Sequence, residues 1–207
     1  MIKTVCNSNH PTLFTKPIKE CINFPVVVSL SGEVCDSSVK EVGKGFEEAH
    51  ATGQPIIPFV IDSYGGSVYS CLAILDIMTS SSLPVATIGI SKCMSAAGVI
   101  LACGTRGHRY LQQNATVMIH DVSSFVWGKL SDLKNDVRET ERLSEILFST
   151  MSKACGHRDI KYFQKLIHKY KNTDIFMDSE ESVKHKIIDH VGTPTFSIDF
   201  NISYKLI

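Results

Sequence analysis

The chain has 207 residues, 43% of them hydrophobic, with Lys+Arg and Asp+Glu each totalling 21. That length supports one sizeable core with room for a small satellite. The balanced charge excludes the basic footprint of a nucleic-acid or anionic-membrane binder, and no apolar run approaches the roughly 20 residues of a membrane span. Residues 1–23 are polar, carry Pro11 and Pro17 and show no periodicity, so they read as an N-terminal arm. The first residues, Met1-Ile-Lys-Thr-Val-Cys-Asn7, lack the charged-then-apolar layout of a secretory signal, and a cytoplasmic location is expected. Seven cysteines, at 6, 21, 35, 71, 93, 103 and 155, are scattered and form no CxxC pair. They read as reduced thiols, with Cys93 as buried filler, not as a disulfide frame or a zinc site.

Pro25–Leu30 reads as a buried strand stopped by Ser31-Gly32. Val39, Val42, Phe46 and Ala49 recur at three- and four-residue steps, which predicts a helix ending near Gly53. Ile56–Ile61 is the next strand. Asp62-Ser-Tyr-Gly-Gly66 then reads as a turn into a helix with Val68, Leu72, Ile74 and Leu75 facing inward. Val85–Ile90 and the segment around Ser95 repeat this strand–turn–helix order, with Gly104 in the position of a helix C′ residue. His108–Leu111 and Thr116–His120 give two further strands, and Asp121–Lys129 a loop. A long helix follows from about Leu130 to Ala154, with Leu133, Val137, Leu147, Met151 and Ala154 along one stripe. Its apolar positions run far from the other elements, so it is expected to project and to meet a partner subunit. A shorter helix carries Ile160, Phe163, Ile167 and Tyr170; Thr173–Met177 reads as a strand, and Asp178-Ser-Glu-Glu181 as a capping box. Past Gly192-Thr-Pro194, five large apolar residues from Phe196 to Tyr204 alternate with polar ones, the pattern of an ordered edge strand. Short strands alternating with helices give an α/β fold with largely parallel pairing.

The chemistry concentrates between Val85 and His120. Ser95 stands at the mouth of a helix, where unpaired N–H groups and the dipole favour developing negative charge. His120 ends an apolar run and would emerge from a sheet edge, so serine and histidine pair naturally as nucleophile and base. Gly65-Gly66 would let a backbone N–H face an oxyanion with no side chain in the way. Each of these taken singly has a structural explanation: a helix cap, a satisfied histidine, a turn needing positive φ. Asp174 alone is a loop carboxylate. Together they supply the three types a catalytic triad needs, in an order a triad permits.

Asp62-Ser-Tyr-Gly-Gly66, Cys93-Met-Ser-Ala-Ala-Gly98, Arg109-Tyr110, Asn114, Val117-Met-Ile-His120 and Asp174-Ile-Phe-Met177 resemble, in order and spacing, the Clp peptidase (ClpP) family over Val26–Val191. The resemblance implies a crotonase-like stack of strand–strand–helix units with a projecting handle helix, on a domain spanning 24–192 with a C-terminal extension at 193–207. It implies a serine endopeptidase with Ser95 as nucleophile, His120 as base, Asp174 as orienting acid, and the Gly66 and Ala96 N–H groups as oxyanion donors. No metal or organic cofactor is expected. Implied partners are copies of the chain in seven-membered rings that stack in pairs, a ring-shaped AAA+ ATPase, and unfolded protein as substrate. Three departures stand out. Tyr64 replaces the family's proline, Asp121–Gly128 replaces its Gln-Pro and glycines, and Thr173 replaces the arginine before the acid. A crotonase-type acyl-CoA enzyme, a non-catalytic ring subunit and a viral capsid-maturation peptidase remain as alternatives.

Overall fold

The computed structural model describes residues 25–195, apart from residues 125 and 172. The arm at 1–23 and the alternating segment at 196–207 lie outside the described residues. Strand β1 (Val28–Val34) leads into helix α1 (Asp36–Thr52), then β2 (Ile57–Gly66), α2 (Val68–Ser80), β3 (Val85–Met94) and α3 (Ala96–Ala102). Next come β4 (Arg109–Leu111), β5 (Thr116–Ile119), α4 (Leu130–Ala154), α5 (Tyr162–Lys169), β6 (Ile175–Met177), α6 (Ser179–Lys184) and β7 (His190–Val191). The sheet runs β1-β2-β3-β4-β7 with every pair parallel, as expected for strands joined by crossover helices. The fold is therefore α/β as read from the sequence.

β3 does two jobs. Its first half pairs with β4 and its second half, Lys92–Met94, pairs with β5, which in turn carries β6 antiparallel. The β1–β2 ladder slips between Ser31 and Glu33, and the β2–β3 ladder slips between Ile61 and Ser63. Such bulges turn the ends of both strands toward one corner of the sheet. They also correct three readings of the sequence. Ser31-Gly32 does not stop β1, which continues through positive-φ Gly32 to Val34. Asp62–Gly66 is not a turn but the end of β2, paired with Glu33 and Val34. Ser91–Met94 likewise belongs to β3. Small and polar residues weaken intrinsic strand preference there, and pairing with neighbours overrides it.

The helices follow the predicted faces. α1 buries Val42, Phe46 and Ala49 and ends on Gly53 at φ 76°, a left-handed cap. Gly104 does not take that role: it has no positive φ, and a Cβ there would lie 2.3 Å from Thr87 Oγ1. It is a glycine of close packing. α6 starts on Asp178, whose carboxylate accepts from the Glu181 N–H at 2.8 Å. The core gathers between the sheet and α1, α2, α3 and the second half of α4, around Phe59, Ile100, Leu101, Phe148, Met151 and Phe163. α4 leaves that core towards its N-terminus, where Leu130, Leu133 and Val137 are 67%, 38% and 56% exposed. Leu147 and Met151, on the same stripe of the helix expected to meet a partner subunit, are instead 4% and 0% exposed within the chain's own core. Among the described residues, no helix is long and apolar enough to cross a membrane.

Candidate active site

β3 and β5 run parallel with Met94 opposite Met118, so the residues just beyond them share one corner at the carboxyl ends of adjacent strands. Open parallel sheets offer their binding crevices there. Ser95 follows β3 as the N-cap of α3, at φ 54° and ψ −124°. A side chain rarely adopts that conformation, and holding it costs on the order of 1–3 kcal/mol. Three backbone bonds hold it: Ser95 N–H donates to Met118 O at 2.7 Å, and the Gly98 and Val99 N–H groups donate to Ser95 O at 3.0 and 3.3 Å. The first of these ties the serine directly to the strand that carries the histidine. His120 follows β5, and its Nε2 lies 2.8 Å from Ser95 Oγ. At that distance the hydroxyl can donate to the imidazole when the ring proton is on Nδ1.

The two glycines have different jobs. A Cβ on Gly65, at φ 99°, would lie 2.6 Å from Met94 O, 2.7 Å from Ser95 Cβ and 3.1 Å from Ala96 N. Gly65 is therefore the surface against which the Ser95 turn is packed. A Cβ on Gly66 would lie 2.3 Å from Val34 O, because β1 closes over that side. Tyr64 occupies the position before them on an extended strand, exposed and with Lys92 Nζ 4.8 Å from the centre of its ring. Lys92 is also paired with Asp62 at 2.6 Å. On either side of Tyr64, β2 pairs with β1 at Asp62, Gly65 and Gly66 and with β3 at Ser63.

Gly66, Ser95, Ala96 and His120 line one cleft of about 50 Å³. Val68, Val99, Ile119, Leu147 and Phe148 form its apolar walls, and Asp121 to Ser123 one rim. The first N–H of α3, on Ala96, has no intrahelical acceptor. Asp174 stands apart. It is exposed, and among the described residues it makes no hydrogen bond to His120. The antiparallel pairs Val117 with Met177, Met118 with Phe176 and Ile119 with Ile175 end one residue short of His120 and of Asp174.

Cys93 is fully buried beneath this corner, and burial pushes its thiol up to about 12, so it is not a thiolate nucleophile. Burial likewise pushes Cys71 up to about 12 and Cys155 up to about 11. Among the described cysteines Cys35 is the exception: hydrogen bonding, first from Ser37, lowers it. Two contacts had no signal in the sequence, the packing of Gly65 on Ser95 and the bond from Ser144 Oγ to Asp121 Oδ1 at 3.0 Å.

A hydroxyl–imidazole pair beside a free helix N-terminus, at the carboxyl ends of parallel strands, is the arrangement of a serine hydrolase. The sequence model of the Clp protease family matches residues 25–195. The chain is 31% identical over 189 residues to the ATP-dependent Clp protease proteolytic subunit of Carsonella ruddii (strain PV), covering 91% of this chain and 92% of that one. It is 33% identical over 145 residues to the ATP-dependent Clp protease proteolytic subunit 1 of Rhodopirellula baltica, covering 69% of this chain and 62% of that one. The chain belongs to the Clp protease family, and its general activity is that of a serine peptidase.

Proposed function

We propose that the chain is a serine endopeptidase that cleaves unfolded protein inside a homo-oligomeric chamber, using Ser95, His120 and Asp174. The observation that carries this is the 2.8 Å contact between Ser95 Oγ and His120 Nε2. His120 takes the hydroxyl proton as Oγ attacks a peptide carbonyl, then returns it to the leaving amine. Asp174 accepts from Nδ1–H, fixing the tautomer and stabilising the imidazolium. The β5–β6 pairing, which ends at Ile119 with Ile175, one residue short of each, supports bringing Asp174 to His120. The oxyanion forms between the Gly66 and Ala96 N–H groups, where losing one donor typically costs about 10²–10³ in turnover. The cleft's aliphatic and aromatic walls favour an apolar side chain on the acyl side of the scissile bond.

The assembly is a ring of copies of this chain, in the cytoplasm, fed by an AAA+ ATPase that hydrolyses the ATP; the peptidase itself needs no cofactor. Family membership supports the ring and the partner, and the exposed Leu130, Leu133 and Val137 of α4 give a ring-to-ring or subunit contact an apolar face. The Ser95–His120 pair supports the peptidase reading over acyl-CoA chemistry, which requires neither residue. A fluorophosphonate probe tests it. Ser95 should be labelled in the wild type, Ser95→Ala should remain unlabelled, and His120→Ala should slow labelling by at least about 10³. Equal labelling of Ser95→Ala would end the proposal.

A further inference from the structure

His120 lies one residue past the last paired position of β5, and among the described residues its ring bonds only to Ser95. What fixes the backbone on its far side is the next residue. Asp121 Oδ1 accepts from Ser144 Oγ at 3.0 Å and from the Val122 N–H at 2.8 Å. Ser144 is buried on the half of α4 that belongs to the core, one turn before Phe148. Asp121 and Phe148 line both the cleft at Ser95 and a second cavity of about 30 Å³ completed by Ser144, Gln164, Ile167 and His168. The carboxylate is therefore wedged between β5, α4 and α5, while beyond it Ser123, Ser124 and residues 127–129 are exposed.

Resting on the peptidase reading above, we propose that Asp121 and Ser144 are positioning residues, a strut that holds His120 at bonding distance from Ser95. Ser95 is fixed by α3 and by its backbone bond to Met118 on β5, just upstream of His120. Beyond His120 the backbone leaves the paired strand, and the bonds of Asp121 to Ser144 and to the Val122 N–H hold it on that side. A displacement of about 1 Å at such a base can cost about 10²-fold in rate without altering substrate binding. The requirement is for an acceptor at the Asp121 Oδ1 position and a hydroxyl donor at Ser144; the negative charge is not needed.

The experiment uses the full-length assembled protein. It measures the rate of fluorophosphonate labelling at Ser95 and the kcat and KM for a peptide substrate. Asp121→Ala and Ser144→Ala should each lower the labelling rate and kcat about tenfold to a hundredfold with KM little changed. The double variant should be no slower than either single one, since both remove the same bond. Asp121→Asn and Ser144→Thr, which keep acceptor and donor, should restore most of the rate. Assembled Asp121→Ala or Ser144→Ala that labels at the wild-type rate would overturn the strut, as would Asp121→Asn as slow as Asp121→Ala. A wild-type chain unlabelled at Ser95 would instead remove the reading on which the strut rests, and the strut with it.

Discussion

Gly65 and Gly32 both have positive φ, 99° and 88°, but only Gly65 has something in the way of a side chain. An added methyl at Gly32 meets nothing within 4 Å, whereas at Gly65 it would press on Met94 O and Ser95 Cβ. The pair separates backbone strain from steric exclusion. Gly32→Ala should cost about 1 kcal/mol and leave Ser95 reactive. Gly65→Ala should cost more, about 2–3 kcal/mol, and abolish fluorophosphonate labelling, because the nucleophile's turn must move. Chemical denaturation and labelling of the two variants side by side would check this; a fully reactive Gly65→Ala would contradict it. At this scale the residue types were legible from order and spacing, but their contacts were not. The Gly-Gly pair reads as a turn until β1 and the Ser95 segment, distant in sequence, are seen against it.

Among elements, helices were easier to read than strands. α4 runs from Leu130 to Ala154 as its apolar spacing implies, and Gly156 at φ 71° follows its end. Arg106 adds what spacing cannot show, donating to Lys153 O and Ala154 O at 2.7 and 2.9 Å to satisfy the helix's last carbonyls. β2 and β3 were read short because their last residues are small or polar and look like turns in isolation. α4 also has two functions that one continuous stripe conceals. Met151 is fully buried in the chain's own core, while Val137 is 56% exposed on the projecting half. Met151→Ala should lower folding stability by about 2–5 kcal/mol. Val137→Asp should leave folding within about 0.5 kcal/mol but weaken self-association. Denaturation midpoints combined with sedimentation would distinguish the two effects, and unchanged association of Val137→Asp would exclude that face from the assembly.

For the molecule as a whole, Arg109 is the side chain that joins the end of the chain to the site. It is almost fully buried; its Nε and Nη2 donate to Asp189 Oδ2 and Oδ1 at 2.8 and 2.6 Å, and its Nη1 donates to Ala102 O at 3.1 Å. Ala102 is the last residue of α3, so one guanidinium links the far end of the nucleophile's helix to the segment that enters β7. Asp189 also accepts from the Gly107 and Arg109 N–H groups at 2.8 and 3.1 Å. Burial by itself would raise the Asp189 carboxyl, but the bonds and charge of Arg109 outweigh it and hold the group below the ordinary carboxylate range. A depressed native value means the contribution is complete above the unfolded value, near pH 4, and is lost as pH falls through the native one. Asp189→Asn removes that dependence and leaves the Arg109 charge buried without its counterion. At pH 7 the variant should be less stable by about 3 kcal/mol, the low end for a broken buried pair because Asp189 keeps some contact with solvent that screens it. As pH falls below about 4 and towards the lower native value, the gap to the wild type should narrow, because protonation progressively neutralises the native carboxylate too. Urea denaturation of both proteins between pH 7 and pH 3 would show the curves converging. A gap that stays constant across that range would mean that the pair contributes through packing and hydrogen bonding alone, and not through its charge.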